Sequence, residues 1–116
     1  MSGAEVQAPQ TGCAALPPEE MAQQAAEAAT FLKALSHEGR LMILCHLSSG
    51  EKTVTELEER LGARQAAVSQ QLARLRSEGL VAARRDGKTI HYSISDARAG
   101  AIMALVYDLF CARQAA

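Results

Sequence analysis

Tryptophan is absent from this 116-residue chain, and aromatic residues make up only 3% of it. This scarcity argues against a large ligand cavity and against a surface for stacking bases, because both are commonly built from aromatic rings. No run of about 18 apolar residues is present, so we expect neither a membrane-spanning helix nor a membrane partner. The first Lys or Arg is Lys33, and no apolar run precedes it. We therefore expect no secretion signal and a cytoplasmic location.

Cysteine is also scarce, with only Cys13, Cys45 and Cys111. An odd number of thiols without an export signal argues against a structural disulfide framework, which is rare in a reducing compartment. The thiols are therefore expected to be buried filler, metal ligands or redox reagents. The sequence also lacks a Ser-His-Asp arrangement, a glycine-rich phosphate loop and a CxxC pair, so we predict neither enzymatic activity nor a cofactor.

The charges of the chain are unevenly distributed. The net charge is −1, which is unusual for a protein that binds nucleic acid. Between Arg64 and His91, however, six Lys and Arg residues stand against two acids, a local excess of +4, whereas the rest of the chain carries −5. Basic residues concentrated in one segment are typical of a surface that binds DNA.

All three prolines fall within the first 18 residues. This predicts a flexible N-terminal tail over residues 1–18 and one domain over residues 19–116. Apolar spacing and end signals predict five helices. Their expected bounds are Pro17–Leu35, Glu38–Leu47, Val54–Leu61, Arg64–Glu78 and Ala97–Arg113. Ser36 is expected to cap the second helix, and Gly62 to end the third.

The sequence period changes from helical to alternating after Gly79. Two predicted strands, Leu80–Arg84 and Lys88–Ile94, flank Arg85-Asp86-Gly87, where the Asp-Gly pair predicts a hairpin turn. Two short helices joined by a glycine-containing turn and followed by a hairpin make a winged helix-turn-helix. The predicted fold is therefore mainly α with a β-hairpin wing. Because the last helix is apolar on nearly every side, we also expect a second copy of the chain to cover it.

The helix over Arg64–Glu78 is the predicted DNA-reading helix. Val68, Leu72 and Leu75 form its buried stripe, so the side chains opposite them point away from the core. Glutamine and serine suit base edges, while arginine and lysine suit phosphates and the minor groove. The predicted contacts to double-stranded operator DNA are Arg64, Gln65, Ala66, Ser69, Gln70, Arg74, Arg84, Arg85 and Lys88. Taken singly, each of these residues also fits a solvated surface.

Three segments resemble the ArsR/SmtB family of repressors. Leu35–Leu44 resembles the L-x-[HD]-x-x-R-[LR]-x-I-L opening of the family, and Gln65–Leu75 resembles its recognition helix. Gly79–Val81 together with Gly87–Ile94 resembles its wing. The resemblance implies a homodimer that packs through its first and last helices and leaves its operator when an inducer binds.

The metal sites found in that family are not matched in this sequence. The arsenic and cadmium type has cysteines in the third helix, where this chain has Thr53 and Thr55. The zinc type has ligands on the last helix, which would start here from Asp96. The positions that should carry the other zinc ligands are Arg98, Leu109 and Ala112. The histidines share no ligand spacing and are predicted to be structural or surface residues: His37, His46 and His91. We therefore predict no metal site.

Cys45 on the second helix and Cys111 on the last helix resemble the cysteine pair of the sulfide-responsive branch of the family. The resemblance implies that they sense low-molecular-weight persulfides, form a polysulfide bridge and release operator DNA of sulfide-metabolism genes. Two alternatives stay open: cysteines that are only structural, and a metal site made of both cysteines and a histidine. Cys13, in the predicted tail, is expected to be dispensable for sensing.

Overall fold

The computed structural model describes residues 12–62 and 64–112, and packing divides the chain into two units, residues 1–33 and 34–116. In the first unit, a 3-10 turn over Gly12–Ala15 precedes helix α1, Pro18–Leu35, whose last two residues belong to the second unit. Proline at the first position and two glutamates in the first turn favour this start, since proline needs no amide donor there and acids complement the helix dipole. Most of the predicted tail lies outside the described residues.

The second unit is a winged helix-turn-helix, which confirms the predicted fold class. The elements are α2 Glu38–Leu47, β1 Lys52–Thr53, α3 Val54–Leu61, α4 Gln65–Ser77, β2 Val81–Asp86, β3 Thr89–Ile94 and α5 Ala97–Val106, followed by a π-helical turn over Tyr107–Cys111. Helices α3 and α4 are the helix-turn-helix pair, and strands β2 and β3 are the wing. Within the described residues, no helix has both the length and the apolar character needed to cross a membrane.

The wing belongs to a three-stranded antiparallel sheet with the strand order β1-β3-β2, rather than to an isolated hairpin. Strand β1 pairs Lys52 with Tyr92 and Thr53 with His91. Two residues are too few to show an alternating pattern, so the sequence did not predict this strand. The added strand joins the base of the wing to the start of α3.

The hairpin turn lies slightly later in the chain than predicted. Asp86 pairs with Thr89, so the turn consists of Gly87 and Lys88, and the predicted turn at Arg85-Asp86-Gly87 is wrong in position. A two-residue hairpin loop needs a positive φ, and Gly87 provides it with a φ of 65°. Asp86 is therefore the last paired residue of β2 rather than part of the turn.

A side chain fixes the start of α2, and a backbone conformation fixes the end of α3. His37, and not Ser36 as predicted, caps α2: its Nδ1 accepts a hydrogen bond of 3.1 Å from the backbone amide of Gly39. The cap residue must precede the first helical residue, and α2 begins at Glu38, which leaves Ser36 one position too early. Gly62 ends α3 in the left-handed conformation, as predicted.

The core of the second unit lies between the helices and the inner face of the sheet. Val68, Leu72 and Leu75 are buried, which confirms the predicted stripe of α4. The other large, fully buried side chains come from α2, α3, α5 and the residue before β2: Ile43, Leu44, Leu57, Met103 and Leu80. Burial of this stripe fixes the rotation of α4 about its axis, and therefore which of its residues face solvent.

Candidate DNA-contacting surface and thiol cavity

All nine residues predicted to contact DNA are exposed on the structure. Ala66, Ser69 and Gln70 lie on the side of α4 opposite its buried stripe, with Arg64 and Gln65 at its N-terminal end. On the wing, Arg84 and Arg85 lie on β2, where they pair with His91 and Ile90, and Lys88 lies in the hairpin turn. The surface is thus polar and basic along the helix and on the wing.

Two of the predicted arginines are already paired with carboxylates. Arg74 Nε lies 3.2 Å from Glu78 Oε2, one helical turn away. Arg84 binds Glu51 with both ends of its guanidinium group, at 3.0 Å from Nε to Oε2 and 2.7 Å from Nη2 to Oε1. This bidentate contact holds the pKa of Glu51 below its ordinary value. The sequence did not reveal either pairing, and both reduce the charge offered to DNA.

Cys45 and Cys111 line one open cavity of about 670 Å³, although they are far apart in the sequence. The cavity, here named the thiol cavity, lies between the end of α2, strand β3 and the last helix. The expectation that a chain with few aromatic residues lacks a large cavity is therefore wrong. Space arises because much of the lining consists of small residues: Ser48, Gly50, Ser93, Gly100 and Ala104.

The two thiols differ in their surroundings. Cys45 is half-buried, and its Sγ lies 3.9 Å from Sδ of the buried Met103. Burial raises the pKa of the Cys45 thiol, and negative charge on Cys111 raises it further. Cys111 is exposed at the end of the π-helical turn. The Cys45 thiol therefore ionises less readily than an ordinary cysteine, while Cys111 is open to reagents from solvent.

The π-helical turn that carries Cys111 replaces the last part of the predicted helix. The α-helix ends at Val106, and the backbone amide of Ala112 donates to the carbonyl of Tyr107 across five residues. Such turns are rare and frequently occur at functional sites. The predicted end at Arg113 lies outside the described residues, and the apolar pattern of the sequence gave no sign of the wider turn.

Comparison with known proteins agrees with this fold. The family model described as "Bacterial regulatory protein, arsR family" matches residues 37–83. The biofilm growth-associated repressor of Xylella fastidiosa (strain 9a5c) is 44% identical over 96 residues, which cover 83% of this chain and 84% of that protein. The chain belongs to the ArsR family. Regulators of the ArsR family bind operator DNA and typically act as dimers, so this protein is a transcriptional repressor rather than an enzyme.

Solved structures of ArsR-family regulators superpose well on this chain. The repressor BigR of Xylella fastidiosa has a TM-score of 0.77 at 43% identity, covering 84% of this chain and 96% of that one. Reduced HlyU of Vibrio cholerae has a TM-score of 0.77 at 42% identity, covering 80% and 98%. The similarity extends over nearly all of both relatives.

Among the described residues of this ArsR-family chain, the histidines and the thiols form no metal site. Over residues 12–62 and 64–112, no three His, Cys, Asp or Glu side chains are grouped closely enough to hold a metal ion. The alternative of a site made of both cysteines and a histidine is therefore not found among those residues. His37 serves as the cap of α2, and His46 is half-buried with a pKa lowered mainly by burial.

The unequal thiols lead to a prediction about alkylation. With iodoacetamide at neutral pH, Cys111 is expected to react several-fold faster than Cys45, because the thiolate is the reactive form and burial disfavours it at Cys45. The rate at Cys45 should rise with pH through a midpoint above that of an ordinary thiol. Cys111→Ser should lower this midpoint without restoring the ordinary value, since burial remains. Peptide mass spectrometry of timed samples measures both rates, and equal rates would contradict the assignment.

Proposed function

We propose that the chain is a dimeric repressor that responds to low-molecular-weight persulfides through Cys45 and Cys111 and then releases operator DNA of sulfide-metabolism genes. The observation that carries the proposal is the presence of both thiols in one open cavity. An exposed thiol beside a second, half-buried thiol is the arrangement that a two-step sulfur reaction requires. The cavity is open, so a small persulfide can enter it.

Cys111 is the proposed site of first attack because it is exposed. Its thiolate attacks the outer sulfur of a persulfide, RSSH, which gives the Cys111 persulfide and releases the thiolate RS⁻. A second equivalent converts Cys45 in the same way. The terminal sulfur anion on Cys45 then attacks the inner sulfur of the Cys111 persulfide, which forms a trisulfide bridge and releases hydrosulfide. The incoming persulfide is thus the only oxidant needed.

We propose that selectivity against peroxide depends on a separation of Cys45 and Cys111 that is too wide for a direct disulfide. A direct disulfide requires α-carbons within about 7 Å, whereas inserted sulfur atoms bridge a wider gap. Intact-mass spectrometry after glutathione persulfide should show a gain of whole sulfur atoms together with the loss of two hydrogens. Peroxide should give no bridge. A bridge that forms equally well with peroxide would contradict the proposed origin of the selectivity. The absence of a bridge with either reagent would contradict the proposed response to persulfides.

A second copy of the chain is the proposed cover for the exposed apolar side chains of the last helix. Phe110 is 69% exposed, an unusual value for so large an apolar residue. Leu105, Tyr107 and Leu109 are also exposed along the same segment, and Met21 and Leu32 are exposed on α1. This distribution supports the predicted dimer through the first and last helices.

Phe110→Ser is expected to shift the protein from dimer to monomer in sedimentation velocity, because it removes the largest exposed apolar group of the proposed interface. DNA affinity should fall by at least about 10-fold, because a dimer that binds one half-site holds its second subunit at a high effective concentration near the other half-site. Met42→Ser, at a similarly apolar and 43% exposed position on α2, is the matched control and should stay dimeric. A dimeric Phe110→Ser protein would place the interface elsewhere.

The main alternative is that the cysteines only fill space. The contact between Cys45 and the buried Met103 favours it, because a thiol often packs as a small apolar group. The exposed position of Cys111 does not, since filler is buried. The two functions differ in whether serine at Cys111 abolishes the response to persulfide.

A further inference from the structure

A second groove, of about 440 Å³, lies between the recognition helix and the wing. Ser69, Ala73, Arg76 and Ser77 of α4 line one side of it, and Tyr92 of β3 lines the other. The four α4 residues are spaced by four, three and one positions, so they lie along one side of the helix. The groove is therefore formed jointly by α4 and the sheet.

Arg76 provides the positive charge of this groove. Its neighbour on α4, Arg74, is paired with Glu78, and Arg84 of the wing is paired with Glu51. Within the described parts of the chain, Arg76 has no carboxylate partner, and its side chain is exposed. Of the two arginines in the last turn of α4, Arg76 is thus the one whose guanidinium remains available for an outside anion.

The rest of the lining contains donors and no carboxylate among the described residues. Ser69 and Tyr92 each bring a hydroxyl group, while the Ser77 hydroxyl already donates to the carbonyl of Arg74 at 2.8 Å. A guanidinium group flanked by hydroxyl donors suits the oxygens of a phosphate. The thiol cavity differs in this respect, because Glu51 and Asp108 line it.

We propose that this groove binds a phosphodiester of the DNA backbone, with Arg76 as the charged contact and Tyr92 as a hydroxyl donor. The inference rests on the proposed DNA reading by α4. When a recognition helix lies in the major groove and a wing reaches the adjacent minor groove, the strand between the two grooves passes between helix and wing. That is the position of Arg76 and Tyr92, neither of which was in the set predicted from sequence.

The test measures the affinity for a mixed-sequence DNA duplex over a range of salt concentrations by fluorescence anisotropy. Arg76→Gln should weaken binding about 5- to 10-fold and reduce the slope of log K against log salt by about 0.9, the value for one lost phosphate contact. Arg98→Gln is the matched control: it removes the same charge at an arginine of α5 that pairs with Asp96, and it should leave the slope unchanged. Tyr92→Phe should weaken binding about 3-fold without changing the slope, because it removes a neutral donor.

The outcomes separate this inference from the proposed function. Normal binding by the wild-type protein with an unchanged slope in Arg76→Gln overturns the phosphate groove alone. Absence of salt-dependent binding by the wild-type protein overturns DNA reading itself. Replacing chloride with inorganic phosphate at equal ionic strength should weaken duplex binding more in the wild-type protein than in Arg76→Gln, because free phosphate competes for the same groove. An equal loss in both proteins would contradict a phosphate site at Arg76. Circular dichroism and thermal unfolding confirm that the variants are folded.

Discussion

Replacing Cys111 with serine is expected to leave operator binding intact and to abolish its release by glutathione persulfide. Serine keeps the size and polarity of the exposed side chain but cannot attack sulfur or take part in a bridge. In the wild-type protein, a typical coupling of about 1–3 kcal/mol between the proposed bridge and DNA would lower the affinity about 5- to 150-fold. In Cys111→Ser the same treatment should change the affinity less than about 2-fold.

The measurement is a titration of a labelled operator, selected in vitro from random DNA, before and after treatment with persulfide. Cys13→Ser is the matched control, because it also removes one thiol and should release DNA as the wild-type protein does. Cys45→Ser should behave like Cys111→Ser, although the first step at Cys111 still proceeds and adds sulfur. Full release by either cavity variant would show that the cysteines are structural and that another signal controls the repressor.

Leu72→Ala is expected to lower the free energy of unfolding by about 2–5 kcal/mol, the range for a fully buried leucine that leaves a space behind. Leu72 is 0% exposed and anchors α4 to the core. Its loss should therefore also loosen the packing that orients the exposed side of α4, which is predicted to contact DNA. Urea unfolding followed by circular dichroism, at one fixed protein concentration, measures the effect. Gln70→Ala, on the exposed side of the same helix, should stay within about 0.5 kcal/mol. A loss below about 1 kcal/mol in Leu72→Ala would contradict the assigned orientation of α4.

The helices could be predicted because their signals are local. The stripe of Val68, Leu72 and Leu75 follows from spacing alone, and its burial fixes which side of α4 reaches solvent. Gly62 and Gly87 were recognised because positive φ at such positions favours glycine. For these elements the chain's neighbours in sequence are also its neighbours in space, so the pattern was sufficient.

The features that sequence analysis missed depend on contacts between distant residues. Strand β1 exists because Lys52 and Thr53 find partners on β3, and two residues alone carry no pattern. The pairing of Arg84 with Glu51 joins residues 33 positions apart. A count of charges along the chain therefore overstated the positive charge available on the wing. The thiol pair was inferred from a family resemblance, and only the fold supplied the shared cavity.

Glu51 stands at the border of two regions of the molecule. Its side chain lines the thiol cavity, and the same carboxylate holds Arg84 on β2 of the wing. A group that enters the cavity and draws Glu51 toward itself would leave Arg84 with an uncompensated charge at the surface. Side-chain rotation alone achieves this within nanoseconds, since both partners are solvent-accessible. The thiol cavity and the ionic contacts of the wing thus share one carboxylate.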